Sequence, residues 1–368
     1  MRNVLGNALT LTLFGESHGE GVGAVLDGLT PGVEINEERI ALALARRRPS
    51  GDGETSRVEK DEFKILSGVY RGRSNGEPLT IFIPNQNVHS EDYEDLTLTP
   101  RPGQADYASY IKFHGYEDQR GGGHFSGRLT AAIVAIGSIL IDALKKFDIH
   151  IGSHILQLGK VEDDCFSEGH LKEEILKIEE NPFPLLKEVQ KEMEQEILQA
   201  KSLNDSIGGT IETAVVGIPA GLGEPWFTSF EGEIARAMFS FGGSKGVSFG
   251  SGASFGKMKG SEANDPYILQ DGKVATSSNH NGGISGGISN GMPILFQTVI
   301  RPTPSIGIPQ KSVNLSEIAE KTILVKGRHD PCIVRRVVPV INALTAFVIC
   351  DFLALRYGED VFLKKALD

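Results

Sequence analysis

The stretch Ala131-Ala132-Ile133-Val134-Ala135-Ile136-Gly137-Ser138-Ile139-Leu140 is apolar or small on every face once it is wound at 3.6 residues per turn. A helix without a polar side must be covered all round. Residues 337–355 have the same character, interrupted by Pro339, Asn342, Thr345 and Asp351. Two such helices predict a buried helical layer, most simply with a sheet on each side. Neither 129–144, which contains Asp142, nor 337–355 offers the roughly 18 uninterrupted apolar residues of a membrane helix. No membrane association is therefore expected.

Sheet-forming sequence surrounds these helices. Leu9-Thr10-Leu11-Thr12-Leu13 alternates apolar and polar residues, the period of a half-buried strand. Residues 22–26, 63–70 and 79–84 read as further strands, and 206–301 as strands and loops rich in glycine. Residues 35–48 read as a helix with Asn36 as its cap, Glu37 and Glu38 in its first turn and arginines at its end. Residues 85–123 read as mostly loop. The 126–146 segment is the first apolar helix. Two Gly-rich or polar loops feed apolar helices, at 121–144 and 327–355, a pattern compatible with a duplicated unit.

The chain has 368 residues and a net charge of −11, which argues against a general nucleic-acid binder. The charge is uneven. Residues 161–205 hold thirteen Asp or Glu against five Lys, with no Arg. That segment reads as an acidic, solvent-facing helical excursion broken by Pro182 and Pro184, within one domain spanning 1–368. All seventeen arginines lie elsewhere, eleven of them before residue 129. Arginine grips carboxylate and phosphate bidentately, so an arginine-rich third of an acidic chain suggests an internal anion site. Three cysteines cannot make a disulfide framework, and the first residues lack an apolar signal core. A cytoplasmic location is expected. Nine histidines without ligand spacing predict no metal site.

Several loops carry reactive side chains. Gly15-Glu16-Ser17-His18-Gly19 sets a hydroxyl beside an imidazole, which suits general acid work near neutral pH. Gly121-Gly122-Gly123-His124-Phe125-Ser126-Gly127-Arg128 precedes a helix N-terminus, where backbone N–H groups favour an anion. Gly327-Arg328-His329-Asp330-Pro331 combines a cation, an imidazole and a carboxylate, although Asp330 equally suits a helix cap. Gly282-Gly283-Ile284-Ser285-Gly286-Gly287 lacks dinucleotide-crossover spacing; it suits either a tight turn or a close approach to a flat ring or phosphate. With Arg46-Arg47-Arg48-Pro49, these loops point to one convergent anion pocket.

Taken together, these segments resemble the chorismate synthase family over nearly the whole chain. The resemblance is carried by Phe14-Gly15-Glu16-Ser17-His18-Gly19, Arg46-Arg47-Arg48-Pro49, Arg101-Pro102-Gly103, Ala105-Asp106-Tyr107 and Arg120-Gly121-Gly122-Gly123. It continues through Pro219-Ala220-Gly221-Leu222-Gly223-Glu224-Pro225, Lys245-Gly246-Val247, Pro302-Thr303-Pro304-Ser305-Ile306 and Gly327-Arg328-His329-Asp330-Pro331-Cys332. It implies an α+β fold, a β-α-β sandwich with buried helices between two antiparallel sheets, and a homotetramer. The implied reaction is a 1,4-anti elimination of phosphate from 5-enolpyruvylshikimate 3-phosphate, giving chorismate, with reduced FMN required.

The resemblance also implies roles. His18 would donate a proton toward the leaving phosphate, and Asp330, with Ser17 and Ser126, would relay a proton at the flavin. Arg47, Arg48, Arg57 and Arg128 would hold substrate anions. The FMN cradle would fall on His124, Phe125, Ser126, Gly242, Gly243, Gly286, Arg301, Pro302, Thr303, Pro304, Ser305 and Arg328. No nicotinamide fingerprint is visible, so an external flavin reductant is expected, with NADPH a candidate source of reducing equivalents. Three positions depart from the family pattern. Gln104 stands where a histidine is usual. His124-Phe125 replaces an arginine and the first of two serines. Asn342 replaces a glutamate. Glutamine donates a hydrogen bond but carries no proton at neutral pH, so a non-catalytic flavin- and anion-binding relative is the competing expectation.

Overall fold

Alternation builds the first sheet. In the strand Leu79–Pro84 every second side chain (Leu79, Ile81, Ile83) is buried, because successive residues of a strand face opposite sides. The strand Gly21–Asp27 lies antiparallel to it, with Val22 opposite Ile83 and Ala24 opposite Ile81. Thr10–Gly15 pairs on the other side, Leu11 opposite Leu26. Val4–Leu5 and Lys64–Ser67 form the edges. The computed structural model describes residues 3–49, 60–86, 98–167, 169–179, 181–270, 272–325 and 329–367.

The second sheet runs Ser244–Phe249, Ile294–Ile300, Gly209–Val216, His150–Leu158, Val161–Glu162, antiparallel throughout. Eight α-helices occur among the described residues: α1 (Glu37–Arg47), α2 (Asp106–Phe113), α3 (Thr130–Lys145), α4 (Leu171–Glu179), α5 (Gln190–Ser202), α6 (Phe230–Met238), α7 (Gly260–Ala263) and α8 (Val334–Tyr357). Helix α3 packs on the first sheet, α8 packs on the second, and α1 touches both helices. The expected sandwich is therefore present, with helices between two antiparallel sheets. A Cβ on Gly137 would stand 2.2 Å from that of Ala343, so α3 and α8 meet almost backbone to backbone. A larger residue there would overpack the layer, at a cost of about 1–3 kcal/mol.

By length and composition α8 and the segment around α3 resemble membrane spans, with mean hydropathy 2.1 and 1.7, but both are mostly buried within the protein. The polar interruptions in α8 have internal partners. Asp351 accepts hydrogen bonds from the backbone N–H groups of Asn7, Ala8 and Leu9 at 2.7–3.1 Å, fixing the N-terminal turn to the helix. Asn342 accepts from Ser153 on the second sheet at 2.5 Å.

The structure corrects some expectations. Helix α8 starts at Val334, three residues before the apolar run, so that Arg335 and Arg336 occupy its first turn. Helix α2 lies inside the stretch expected to be mostly loop. It buries only Ser109 and exposes Tyr107 and Ile111, so it lacks an apolar stripe facing the core. The 63–70 strand breaks at Gly68, where φ is +83° and a Cβ would strike the Leu79 backbone. The acidic excursion is not simply solvent-facing. Helix α4 buries Leu171, Ile175 and Ile178 beside Ala214 of the second sheet.

Under that excursion, His154 is fully buried between two carboxylates. Its Nδ1 is 3.1 Å from Asp163 and its Nε2 3.0 Å from Glu212. Burial pulls the imidazole pKa down, but the hydrogen bonds to Asp163 and Glu212 outweigh it, and the net shift is upward. Asp163 also accepts from the backbone N–H groups of Leu186 and Lys187, so the cluster ties the segment after α4 to the sheet.

Candidate active site

The loop after Thr10–Gly15 delivers Ser17 and His18 to the interior, where both are buried. Ser17 Oγ lies 3.0 Å from His18 Nδ1 and 3.1 Å from the carbonyls of Arg120 and Gly121. Carbonyls only accept, so the single hydroxyl proton goes to one of them and the His18 Nδ1–H donates to Oγ. Nε2 is then the ring nitrogen that Ser17 does not engage. Gly121, with φ +58°, fits against this ring because it has no Cβ. Asp118 is within electrostatic reach of His18; its hydrogen bond from Arg120 holds it below the ordinary carboxylate range.

Helix α1 brings arginines to its C-terminal end, where three carbonyls are capped by guanidinium groups from α8. Arg335 donates to the carbonyl oxygens of Arg48 at 2.7 Å and Arg46 at 3.3 Å, and Arg336 to that of Arg47 at 3.0 Å. Positive charge at a helix C-terminus is favourable. Arg336 also pairs with the carboxylate of Asp330, so this residue binds both α1 and Asp330.

The arginine side chains meet at Asp61, whose side chain is fully buried. Arg47 lies 3.1 Å from Oδ2, Arg48 Nε 3.6 Å from the same oxygen, and Arg128 pairs with Oδ1. Burial raises the Asp61 pKa, but the charges and hydrogen bonds of Arg47 and Arg128 outweigh it and hold the carboxyl below its ordinary value. Arg128 Nε donates to Asn85 Oδ1 at 3.0 Å. The Asn85 amide donates to the carbonyls of Glu16 and Gly19, both at 2.9 Å. A continuous chain of contacts therefore runs from the arginines to the loop carrying His18.

A second group lies around Arg301. Its guanidinium donates to the Gly103 carbonyl at 3.0 Å, its backbone N–H to the Gly243 carbonyl at 2.9 Å, and Gln104 Nε2 donates to Ser305 Oγ at 2.8 Å. A cleft of about 270 Å³ opens here, lined by Pro102, Gly103, Arg301, Pro302, Thr303 and Pro304 among others. Thr303 Oγ1, Gln310 Oε1 and Ser244 Oγ are buried without hydrogen-bond partners among the described residues. Thr303 and Gln310 line the cleft together with Arg301 and Asp205, and orphaned groups there suit a polar ligand. Phe125 packs edge-on against Phe113 of α2, linking the His124 loop to the helix that follows Gln104. His124 Nδ1 is 2.9 Å from the Gly15 carbonyl, and Ser126 Oγ caps the turn before α3 by accepting from the Arg128 N–H.

Of the expected site residues, the structure joins Ser17, His18, Arg47, Arg48, Arg128 and Asp330 through one network. Gly243, Arg301, Thr303 and Ser305 fall in or beside the second group. Gly286 lies in the turn between Ile284–Ser285 and Ile288–Ser289, with no hydrogen bond to either group among the described residues. Arg57 and Arg328 lie outside the described residues. Sequence reasoning missed Asp61, Asn85, Arg335 and Arg336. The last two had a signal: paired arginines opening an apolar helix sit at the end its dipole disfavours. Among the described residues no group of three or more His, Cys, Asp or Glu side chains is placed to hold a metal ion.

Comparison with known proteins agrees with this arrangement. The chorismate synthase family profile matches residues 9–354. Chorismate synthase of Pyrococcus abyssi is 44% identical over 351 residues, covering 95% of this chain and 97% of that protein. That of Methanothermobacter thermautotrophicus is 42% identical over 359 residues, covering 97% and 95%. A crystal structure of chorismate synthase superimposes with a TM-score of 0.76 at 30% identity, covering 98% of this chain and 96% of that one. With arginines and a buried Ser-His pair assembled from the segments that carry these matches, the chain belongs to the chorismate synthase family.

Proposed function

We propose that the chain is a chorismate synthase, a carbon–oxygen lyase that eliminates phosphate from 5-enolpyruvylshikimate 3-phosphate to give chorismate, the last common step of aromatic biosynthesis. The observation that carries this reading is the convergence of Arg47, Arg48 and Arg128 on one buried point, linked through Asn85 to the His18 loop. A substrate with a phosphate and two carboxylates needs such a cluster, and charge developing on the leaving oxygens needs fixed donors.

His18 Nε2 holds the proton for the departing phosphate, while Ser17 orients the ring. The arginines bind and orient the substrate anions. Asp330, which pairs with Arg336, would relay a proton at the flavin with Ser17 and Ser126. The Arg301 cleft would hold the phosphate-bearing flavin: Arg301 would supply the cation, with Asp205 on the same wall, Thr303 would supply a hydroxyl, and the hydrogen-bonded Gln104–Ser305 pair stands beside it. Reduced FMN held there would supply the electron-rich ring that the C–O cleavage calls for. An external reductant, drawing on NADPH, would keep it reduced.

A single domain over 1–368 and a homotetramer complete the reading. Exposed Trp226, Phe227, Leu269 and Val274 offer apolar surface for subunit contacts. Anaerobic incubation with substrate and chemically reduced FMN tests the function. Stoichiometric release of phosphate and chorismate is expected; no phosphate above the enzyme-free control would overturn it.

A further inference from the structure

Asp61 has a conformation and position that simple chain packing does not require. Its φ of +50° lies in the left-handed region, which a non-glycine residue occupies only at some cost, though Asp tolerates it better than most. Its side chain is fully buried, and its two oxygens are divided between elements: Oδ1 takes Arg128, beside the start of α3, while Oδ2 takes Arg47 and faces Arg48 at the end of α1. Three guanidinium groups face this one carboxylate. Arg48 Nε is buried without a hydrogen-bond partner among the described residues.

We infer that Asp61 is a positioning residue for the elimination: its carboxylate sets the planes of the Arg47 and Arg128 guanidinium groups before substrate arrives. Without it the like-charged groups repel one another and settle apart, and each turnover must reassemble them. A buried ion pair is often no better for stability than an apolar substitute, so its geometric role is the more telling one. The lowered pKa of Asp61 keeps the carboxylate ionised at neutral pH, as this role needs. Through Arg128 and Asn85 the same carboxylate also steadies the His18 loop.

This inference rests on the proposed function, and the test separates the two. Steady-state kinetics with reduced FMN are measured anaerobically for wild type, Asp61→Asn and Asp61→Glu, with thermal melts of each. Asp61→Asn removes the negative charge from the anion pocket, so ground-state binding of the anionic substrate is kept and KM changes less than about threefold, while kcat falls about tenfold or more as preorganised electrostatics are lost. Asp61→Glu keeps the charge but moves it by one methylene; it lowers kcat less and serves as the folded comparator if the asparagine variant does not fold. Folded variants whose kcat matches wild type, whatever their melting temperature or KM, overturn the role of Asp61 while leaving the enzyme assignment standing. A wild-type chain that releases no phosphate overturns both.

Discussion

Gly121 lies directly against the imidazole of His18: a Cβ built on it would stand 2.1 Å from Cε1 and 2.3 Å from Nδ1. The glycine run before α3 therefore shapes the space around the His18 ring. Its φ of +58° adds a backbone reason for glycine.

Gly121→Ala should push the His18 ring aside while leaving the sandwich intact. A misplacement of about 1 Å can cost about 100-fold, so kcat/KM should fall by roughly that factor. Circular dichroism and a thermal melt would establish that the fold survives. A variant with wild-type kinetics would show that the ring position is unimportant.

Asn85 is the joint between the arginines and the His18 loop. Asn85→Ala removes all three hydrogen bonds and should lower stability by about 1–3 kcal/mol. Asn85→Asp keeps an acceptor for Arg128 but cannot donate to the Glu16 and Gly19 carbonyls. If the loop tether matters, both variants lose turnover alike. An aspartate variant with full activity would assign the whole effect to Arg128.

Gln104 donates to Ser305 and leaves no titrating group at that place. An active wild-type enzyme should gain little from Gln104→His. A rise in kcat of about 100-fold, the size of a general acid's contribution, would instead mark the chain as an impaired relative.

His154 predicts how stability follows pH. Its pKa is raised in the folded chain, so the stabilisation it contributes is fully present below the ordinary value of 6.5 and is lost as pH rises through the higher folded value. Asp163, held below 3.8 although burial pushes it up, contributes above that value and loses its contribution as pH falls through its lower folded value. Removing one partner of a buried pair costs about 3–5 kcal/mol, so His154→Gln should melt well below wild type near pH 6. The gap should narrow in alkaline buffer. A gap independent of pH from 6 to 10 would contradict a charged His154.

Much of the fold was legible because burial leaves a periodic trace. The apolar runs of α3 and α8, and the alternation around Leu11 and Ile81, each announce one layer of the sandwich. Helix α2 left no such trace, since its Tyr107 and Ile111 face outward. The site was legible where several unusual residues adjoin in sequence, as at Ser17-His18 and Arg46-Arg47-Arg48. Asp61 and Asn85 act through partners 14 to 69 positions away. A lone Asp or Asn has no local signature of that kind, and only the packing of α1 against the α3 entry turns them into parts of a site.

In the proposed reaction phosphate leaves from the pocket formed by the converged arginines. Its most direct test is the anaerobic rate of phosphate release by wild type, Arg48→Ala and Arg356→Ala, with reduced FMN. Arg356 donates to the Gly221 carbonyl at the far end of α8, roughly 30 Å along the helix from Arg335. Arg48→Ala should release phosphate at least about 100-fold more slowly, the loss typical when a charge-stabilising donor is removed, and Arg356→Ala at the wild-type rate. Equal rates for Arg48→Ala and wild type would contradict the account.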